Sequence, residues 1–157
     1  MATDPHLKES KMTNKIETLY ATLTTLIQSA GIANVLRIPD EIRYIGNNYP
    51  MALIQEGQQV YTVDAGQRYI YTVAMRIYLC TDMVNGQSKY MNDLQVAVFN
   101  QLFANANLSG FAMNCNPISV DPGAQSQISE LFISAGYNDA LVVRAIDIEV
   151  KLQDVRY

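Results

Sequence analysis

The sequence contains few side chains of the types that usually carry out chemistry. Its single histidine, His6, lies in a polar amino-terminal stretch, so Ser-His-Asp and Cys-His arrangements are not expected. Its two cysteines, Cys80 and Cys115, form no CxxC pair, and two thiols without other ligands do not make a zinc site. A disulfide between them is formally possible, but two buried thiols in a reducing compartment are the favoured interpretation.

Charged residues within apolar strand patterns are the remaining candidates. Asp147 and Glu149 are two residues apart on one strand face, roughly 7 Å from each other, a separation near that of inverting glycosidases. Those enzymes hold the pair in an aromatic cleft of a larger scaffold, so a solvated or salt-bridged strand face is favoured. Arg76 and Arg144 lie among apolar neighbours, where a buried guanidinium needs a carboxylate partner. Asp147 or Glu149 pairs with Arg76 if their strands adjoin; alternatively, these charges lie at a subunit contact.

The composition favours one domain with an uncharged polar surface. Of 157 residues, 49% are hydrophobic and only 17% are charged, against about 25% in typical domains. Ten tyrosines with no tryptophan, and frequent Asn and Gln, are typical of surfaces that meet a partner. The net charge of −4 and the scattered basic residues argue against a surface that grips DNA. Neither a membrane helix nor a signal peptide is expected, so synthesis in the cytoplasm is predicted.

The order of apolar patterns predicts an α+β fold. Residues 1–11 are expected to form a flexible arm, and residues 12–157 a single domain. Helical spacing predicts one helix in "MTNKIETLYATLTTLIQSAG" and a second in "MVNGQSKYMNDLQVAVFNQLFANANLSG". "YPMALIQEG" is predicted as a short strand, and "QQVYTVDAGQRYIYTVAMRIYLCTD" as a hairpin turning at Asp64-Ala65-Gly66. "IANVLRIPDEIRYIGNNYP" is expected to be a connection between them.

The last third of the chain is predicted to be mostly β. "FAMNCNPISV" is expected to be an edge strand because Pro117 interrupts it. "DPGAQSQ" is predicted as a loop, and "ISELFISA" and "LVVRAIDIEVKLQ" as a closing hairpin. The predicted fold is a mostly antiparallel or mixed sheet of five or six strands, with two main helices packed on one face.

The strand "YIYTVAMRIYLC", residues 69–80, raises the question of what covers the sheet. One of its faces is wholly apolar or aromatic, and on the other only Thr72 and Arg76 are plainly polar. Two helices cover only one face, so residues 111–127 or another copy of the chain must cover the second. We favour another copy, because large exposed apolar patches mark partner sites. Replacing Tyr78 by Asp is then expected to spare the fold and block assembly.

The layout resembles the tail-terminator (tail-completion) proteins of long-tailed bacteriophages. The resemblance is one of order and length rather than of a motif, from about residue 14 to 153, and is carried by "IETLYATLTTLIQSAG", "YPMALIQEGQQ", "RYIYTVAMRIYLCTD", "LQVAVFNQLFANANLSG" and "VVRAIDIEVKLQ". It implies a structural, non-enzymatic virion protein with no cofactor or metal. Such proteins form a hexameric ring that caps the tail tube, stops tube polymerisation and joins the tube protein to the head–tail connector. DNA passes through the lumen, and a net charge of −4 per copy suits that role.

A ring closed by rotation needs two different lateral patches on each copy. The candidate subunit contacts are the hairpin tip and the strand residues noted above: Asp64, Ala65, Gly66, Gln67, Arg76, Tyr78, Arg144, Asp147 and Glu149. The candidates for contact with the tube or the connector lie in the predicted loop: Asp121, Pro122, Gly123, Gln125 and Gln127.

The sequence is also compatible with three other functions. The first is another neck protein such as a head–tail stopper, which is more purely β. The second is a small α+β enzyme or ligand-binding domain, and the third is a host adaptor that dimerises through its sheet.

Overall fold

A computed structural model describes residues 15–46, 48–63, 68–82, 88–105, 107–108, 112, 114–136 and 141–155. It contains three α-helices, one 3₁₀ turn and five strands within those residues. In chain order they are α1 (Lys15–Ser29), β1 (Asn34–Ile38), the 3₁₀ turn (Ile42–Tyr44), β2 (Met51–Val63), β3 (Arg68–Asp82), α2 (Ser88–Ala104), β4 (Asn114–Asp121), α3 (Gln125–Ser134) and β5 (Leu141–Val155).

The five strands form one mixed sheet in the order β1-β2-β3-β5-β4. β1 runs parallel to β2, and the other neighbours are antiparallel. The α+β class predicted from the sequence is confirmed. β3 lies at the centre of the sheet, where it pairs with β2 on one side and with β5 on the other, and this position accounts for its apolar character.

The two faces of the sheet have separate cores. On the first face, α1 and α2 pack over alternate residues of β3, namely Tyr71, Val73, Met75, Ile77 and Leu79. The same core takes Ile146, Ile148, Val150 and Leu152 of β5. The second face carries Tyr78 and Cys80 of β3 with Val143 and Ala145 of β5, in a cluster of its own. The alternation read from β3 is therefore confirmed.

Residues 125–134 form a helix where the sequence pattern predicts a loop and then a strand, so the predicted closing hairpin is wrong on its first side. Ile128 and Phe132 are four residues apart and each 1% exposed, which is the buried stripe of a helix. Gly136, with φ of +92°, follows α3 as Gly31, with φ of +103°, follows α1. The shared ending "SAG" is the signal in the sequence that identifies this helix.

The predicted connection after α1 contains a strand. β1 pairs along its full length with the first five residues of β2, so the expectation of an irregular segment is wrong there. Leu36 and Ile38 are buried against the second face. Arg37 joins β1 to α1, because its guanidinium lies 3.7 Å from the centre of the Tyr20 ring and bonds Glu17 at 2.5 Å. The apolar pattern of β1 covers only five residues, which is too short to distinguish a strand from a turn.

The hairpin of β2 and β3 and the edge position of β4 are both confirmed. β2 is one continuous strand with a register shift between Glu56 and Gln59, rather than two strands. β4 has a register shift between Pro117 and Ser119, at the proline that marked it as an edge.

Candidate functional site

The second face of the sheet is covered by the chain itself along half of its length. α3 lies over Tyr78 and Cys80, with Phe132 stacked against Tyr49 at 6.4 Å between ring centres. The expectation that another copy covers this face is wrong for that half. Along β3, the cover provided by α3 ends at Arg76, and beyond it Ala74, Thr72 and Ile70 are only partly buried.

A groove of about 580 Å³ lies where the cover ends. Its walls come from β2, β3, β4, β5 and α3, so it is formed only in the folded chain. It is lined by both apolar and polar residues, namely Gln55, Glu56, Gly57, Ala74, Met75, Arg76, Tyr78, Ile118, Ser119, Gln127, Asp147 and Ile148.

Arg76 and Asp147 form a bidentate ion pair in this groove. They lie directly opposite each other on β3 and β5, which places their side chains on the same face. Arg76 Nε donates to Asp147 Oδ1 at 2.7 Å, and a terminal nitrogen donates to Oδ2 at 3.0 Å. Ser119 Oγ donates to Oδ2 at 3.1 Å from β4. The pairing of Arg76 with Asp147 across the sheet, which the sequence offered as one of two interpretations, is confirmed within the chain.

The ion pair fixes the charge of both groups. The hydrogen bond from Arg76 lowers the pKa of the Asp147 carboxyl, and the Ser119 hydroxyl adds to this effect, while partial burial opposes it. The same hydrogen bond, which Asp147 accepts, raises the pKa of Arg76. Both side chains keep about a third of their surface exposed, at 30% and 29%. The pair is therefore charged near neutral pH and still open to a partner.

Tyr78 is part of the covered half. Its side chain is 5% exposed, and its hydroxyl donates to Gln55 Oε1 at 3.1 Å and to Gln127 Oε1 at 3.5 Å. An aspartate here would place a charge beneath α3. The burial of Tyr78 therefore argues against the expectation that Tyr78→Asp spares the fold, since the pattern of β3 did not reveal the helix above it.

Arg144 lies on the opposite face from this groove. Its terminal nitrogen donates to the side-chain oxygens of Asn92 and of Gln95, the latter at 2.9 Å, both on α2. Two amide oxygens therefore hold Arg144, where the sequence led us to expect a carboxylate. Arg144 ties β5 to the first-face helix and does not join Arg76.

Past the groove, the sheet continues as a ribbon whose described side chains on the second face are partly buried or exposed. This distal ribbon comprises residues 59–63 of β2, 69–73 of β3 and 150–154 of β5. On β2, Val60 lies on the second face and is 52% exposed, whereas Tyr61 and Val63, which pair with Tyr71 and Tyr69, lie on the first face and are 49% and 47% exposed. Tyr61 stacks on Tyr71 across the strands at 5.0 Å, which stiffens the ribbon.

The other predicted contact residues are spread over the molecule. The hairpin tip, Asp64, Ala65, Gly66 and Gln67, lies outside the described residues. Glu149 is exposed and lies opposite Ala74, next to Asp147 on the second face.

The predicted loop is a tight turn leading into α3. Asp121 Oδ1 accepts from the Gly123 backbone N–H at 2.8 Å, with Pro122 between them, and Gln125 begins α3. Gln127 reaches the groove, where its Oε1 accepts from Arg76 at 3.5 Å. Of the predicted residues the structure thus brings together Arg76, Tyr78, Asp147 and Gln127.

Several exposed residues were not identified from the sequence. Val60 and Ile118 lie on the open edges of β2 and β4, and Ile118 is 56% exposed. An apolar residue in a strand pattern is normally assigned to the core as long as the neighbouring strands are unknown. For Val60, the only signal of exposure was the alternation of apolar with uncharged polar residues in "QQVYTV".

The two cysteines are free and lie on opposite faces of the sheet. Cys80 pairs across from Val143 of β5, and Cys115 from Val150, seven residues further on. That offset is about 23 Å along the strand, so no disulfide joins them. Burial raises the pKa of the Cys115 thiol to about 11, and burial also raises the pKa of Cys80.

Within the part of the chain that the structure describes, no helix has the length and apolar character to cross a membrane, and no three His, Cys, Asp or Glu side chains are grouped as metal ligands. No protein-family model matches the chain, and no curated protein matches it either.

Proposed function

We propose that the protein is a structural component of a phage virion that assembles into a ring, a hexamer as in the tail terminators it resembles. The ring caps the tail tube at its head-proximal end, stops further addition of tube protein and offers its other side to the head–tail connector. DNA passes through the lumen without specific binding.

The distal ribbon is the observation that carries this proposal. Three strands extend past the cover of α3, and β1 pairs only with the first five residues of β2. Among the described residues, no strand pairs with the outer side of β2 beyond that point, so half-exposed Val60, Tyr61 and Val63 lie on an open edge, Val60 toward the second face and Tyr61 and Val63 toward the first. Such a surface is costly in a solitary domain and is suited to a partner that completes the sheet.

The uncharged surface supports assembly with copies of the same chain. Only 17% of residues are charged, so few like charges oppose each other when identical subunits meet. The Arg76–Asp147 ion pair is partly exposed and is therefore accessible to a neighbouring subunit. Because a bidentate ion pair is directional, a contact with it fixes how the two subunits align. The turn at Asp121, Pro122 and Gly123 stays the candidate for contact with the tube or the connector.

Electron microscopy of virions that encode the chain tests the proposal. An antibody against the protein is expected to label one site, at the head-proximal end of the tail. Labelling along the whole tube, or particles that carry no label, would reject the proposal.

Loss of the protein separates a terminator from a head–tail stopper. Without a terminator, the tube continues to polymerise and tails of unregulated length are expected. Tails of normal length that fail to join heads would instead favour the stopper, since in that case tube growth ends without this chain.

A further inference from the structure

Helix α2 is apolar on two sides. Its buried side consists of Met91, Val98 and Leu102, which belong to the core on the first face of the sheet. About a third of a turn away, α2 carries Val96 and Phe103, which are 53% and 63% exposed. An apolar side of a helix is normally buried against another element, so this second side indicates a partner.

Phe99 makes the second apolar side of α2 continuous. It lies three residues after Val96 and four before Phe103, and these spacings place all three on one flank of the helix. The rings of Phe99 and Phe103 meet edge to face, with 5.8 Å between their centres. No charged residue occurs from Leu94 to Val120. We call Val96, Phe99 and Phe103 the outer stripe, and its composition is that of a helix side in contact with protein.

The first face of the sheet has an uncovered apolar end on β2. Tyr61 and Val63 project toward this face, and their exposure of 49% and 47% shows that α1 and α2 leave them open. Tyr61 stacks on buried Tyr71, which joins this surface to the core of the first face. Residues 57–63 are uncharged. A sheet face of this kind is normally covered by a helix.

The outer stripe and the uncovered end of β2 belong to different sides of the first face. α2 lies over β5, because Arg144 of β5 bonds Asn92 and Gln95 of α2, and α2 also contacts β4. β2 lies on the other side of β3, next to β1. The two apolar surfaces are therefore distinct, and a contact between them joins identical copies head to tail. Contacts of this type form a closed ring when the rotation between copies permits it.

We propose that the outer stripe of α2 in one copy packs on the uncovered end of β2 in the next copy. Val96, Phe99 and Phe103 then cover Tyr61 and Val63, so a neighbour supplies the helix that this end of the first face lacks. A second copy is the partner that fits, because neither surface carries a charge to select an oppositely charged protein. The contact rests on the proposed function, since it supplies the lateral joint of the ring.

Single charges placed on the two surfaces test the contact. Val96→Lys and Val63→Glu are each expected to raise the dissociation constant for self-association at least about tenfold in sedimentation experiments, because each buries an unpaired charge at the joint. The double variant is expected to recover most of the wild-type affinity, since the new lysine of one copy then meets the new glutamate of the next. A double variant weaker than both single variants overturns the contact.

A mixture of the two single variants tests the head-to-tail arrangement. Alternating copies bring the new lysine of one variant to the new glutamate of the other, so the mixture is expected to associate more tightly than either variant alone. A two-fold contact between two α2 helices would instead leave Val63→Glu unaffected. That result overturns the proposal, and so does a mixture no tighter than its components.

Ile133→Lys is the matched control, because Ile133 is 59% exposed and belongs to α3 on the second face. Its association is expected to equal that of the wild type. Phe103→Lys repeats the test on the outer stripe, and circular dichroism of each variant verifies that it is folded. Equal association of Val96→Lys, Phe103→Lys and Ile133→Lys overturns the contact, as does a wild-type chain that stays monomeric at its highest soluble concentration.

The same variants separate this contact from the proposed function. Rings on tails that still form with Val96→Lys and with Val63→Glu would overturn the contact alone. A chain that self-associates through these two surfaces but never labels a tail would overturn the function and leave the contact standing.

Discussion

Arg76 and Asp147 face each other across the central strand pair and share two hydrogen bonds, at 2.7 and 3.0 Å. The pair lies where the cover of α3 ends and the distal ribbon begins. It satisfies a mid-strand guanidinium that would otherwise be costly to bury. It also leaves both side chains partly exposed at a surface suited to a partner.

The coupling between Arg76 and Asp147 is measurable in the free energy of unfolding. A double-mutant cycle with Arg76→Met and Asp147→Leu is expected to give about 1 kcal/mol of favourable coupling in urea unfolding, since the pair is partly buried. Lys89 and Asp93 on α2 form the control pair, because they are 86% and 64% exposed. No measurable coupling is expected there, and equal coupling in both cycles would contradict a special role for the strand pair.

Stability is expected to fall in acid because of Asp147. Its pKa in the folded chain is lowered from the ordinary value of 3.8, chiefly by Arg76, so the unfolded chain binds this proton more readily. The contribution is present above pH 3.8 and is lost as the pH falls from there through the folded pKa. Asp147→Asn should flatten this part of the curve of unfolding free energy against pH. A variant with the wild-type acid slope would show that other carboxyls determine it.

Tyr78 tests the cover over the second face. Tyr78→Asp buries a charge beneath α3 and is expected to cost about 3 kcal/mol or more, seen as unfolding or a lowered midpoint in circular dichroism. Tyr78→Phe loses only the hydroxyl contacts to Gln55 and Gln127, and about 1 kcal/mol is expected. An aspartate variant as stable as the phenylalanine variant would mean that α3 does not seal this half.

Both thiols are expected to resist modification in the folded chain. Cys80 and Cys115 are 0% and 1% exposed, and burial raises the pKa of both, so little thiolate forms at pH 8. An aromatic disulfide reagent should label two thiols per chain in denaturant and react only slowly without it. One rapidly labelled thiol under native conditions would contradict the burial of that residue.

Prediction from the sequence was most accurate for the long helices and strands, whose apolar patterns extend over many residues. The alternation of β3 assigned its side chains to the correct faces, and the pairing of Arg76 with Asp147 followed from adjacency of β3 and β5. Helical spacing located α1 and α2, because each buries one continuous stripe.

Short and context-dependent elements were missed. α3 has ten residues, and among its described side chains Ile128 and Phe132 alone are fully buried, so its period was mistaken for that of a strand. β1 is defined by parallel pairing with a strand more than ten residues away, which no local pattern reveals. The groove depends on five elements meeting, and it was therefore not predictable from any one of them.

α3 protects only one end of strands that run through the whole sheet. In the isolated subunit the backbone amides at that end should exchange with deuterium slowly, and those of the distal ribbon faster, although both belong to the same β3 and β5. A neighbour that completes the ribbon would remove this difference. The difference in amide exchange between the two ends of β3 therefore reports on assembly without a label or a substitution.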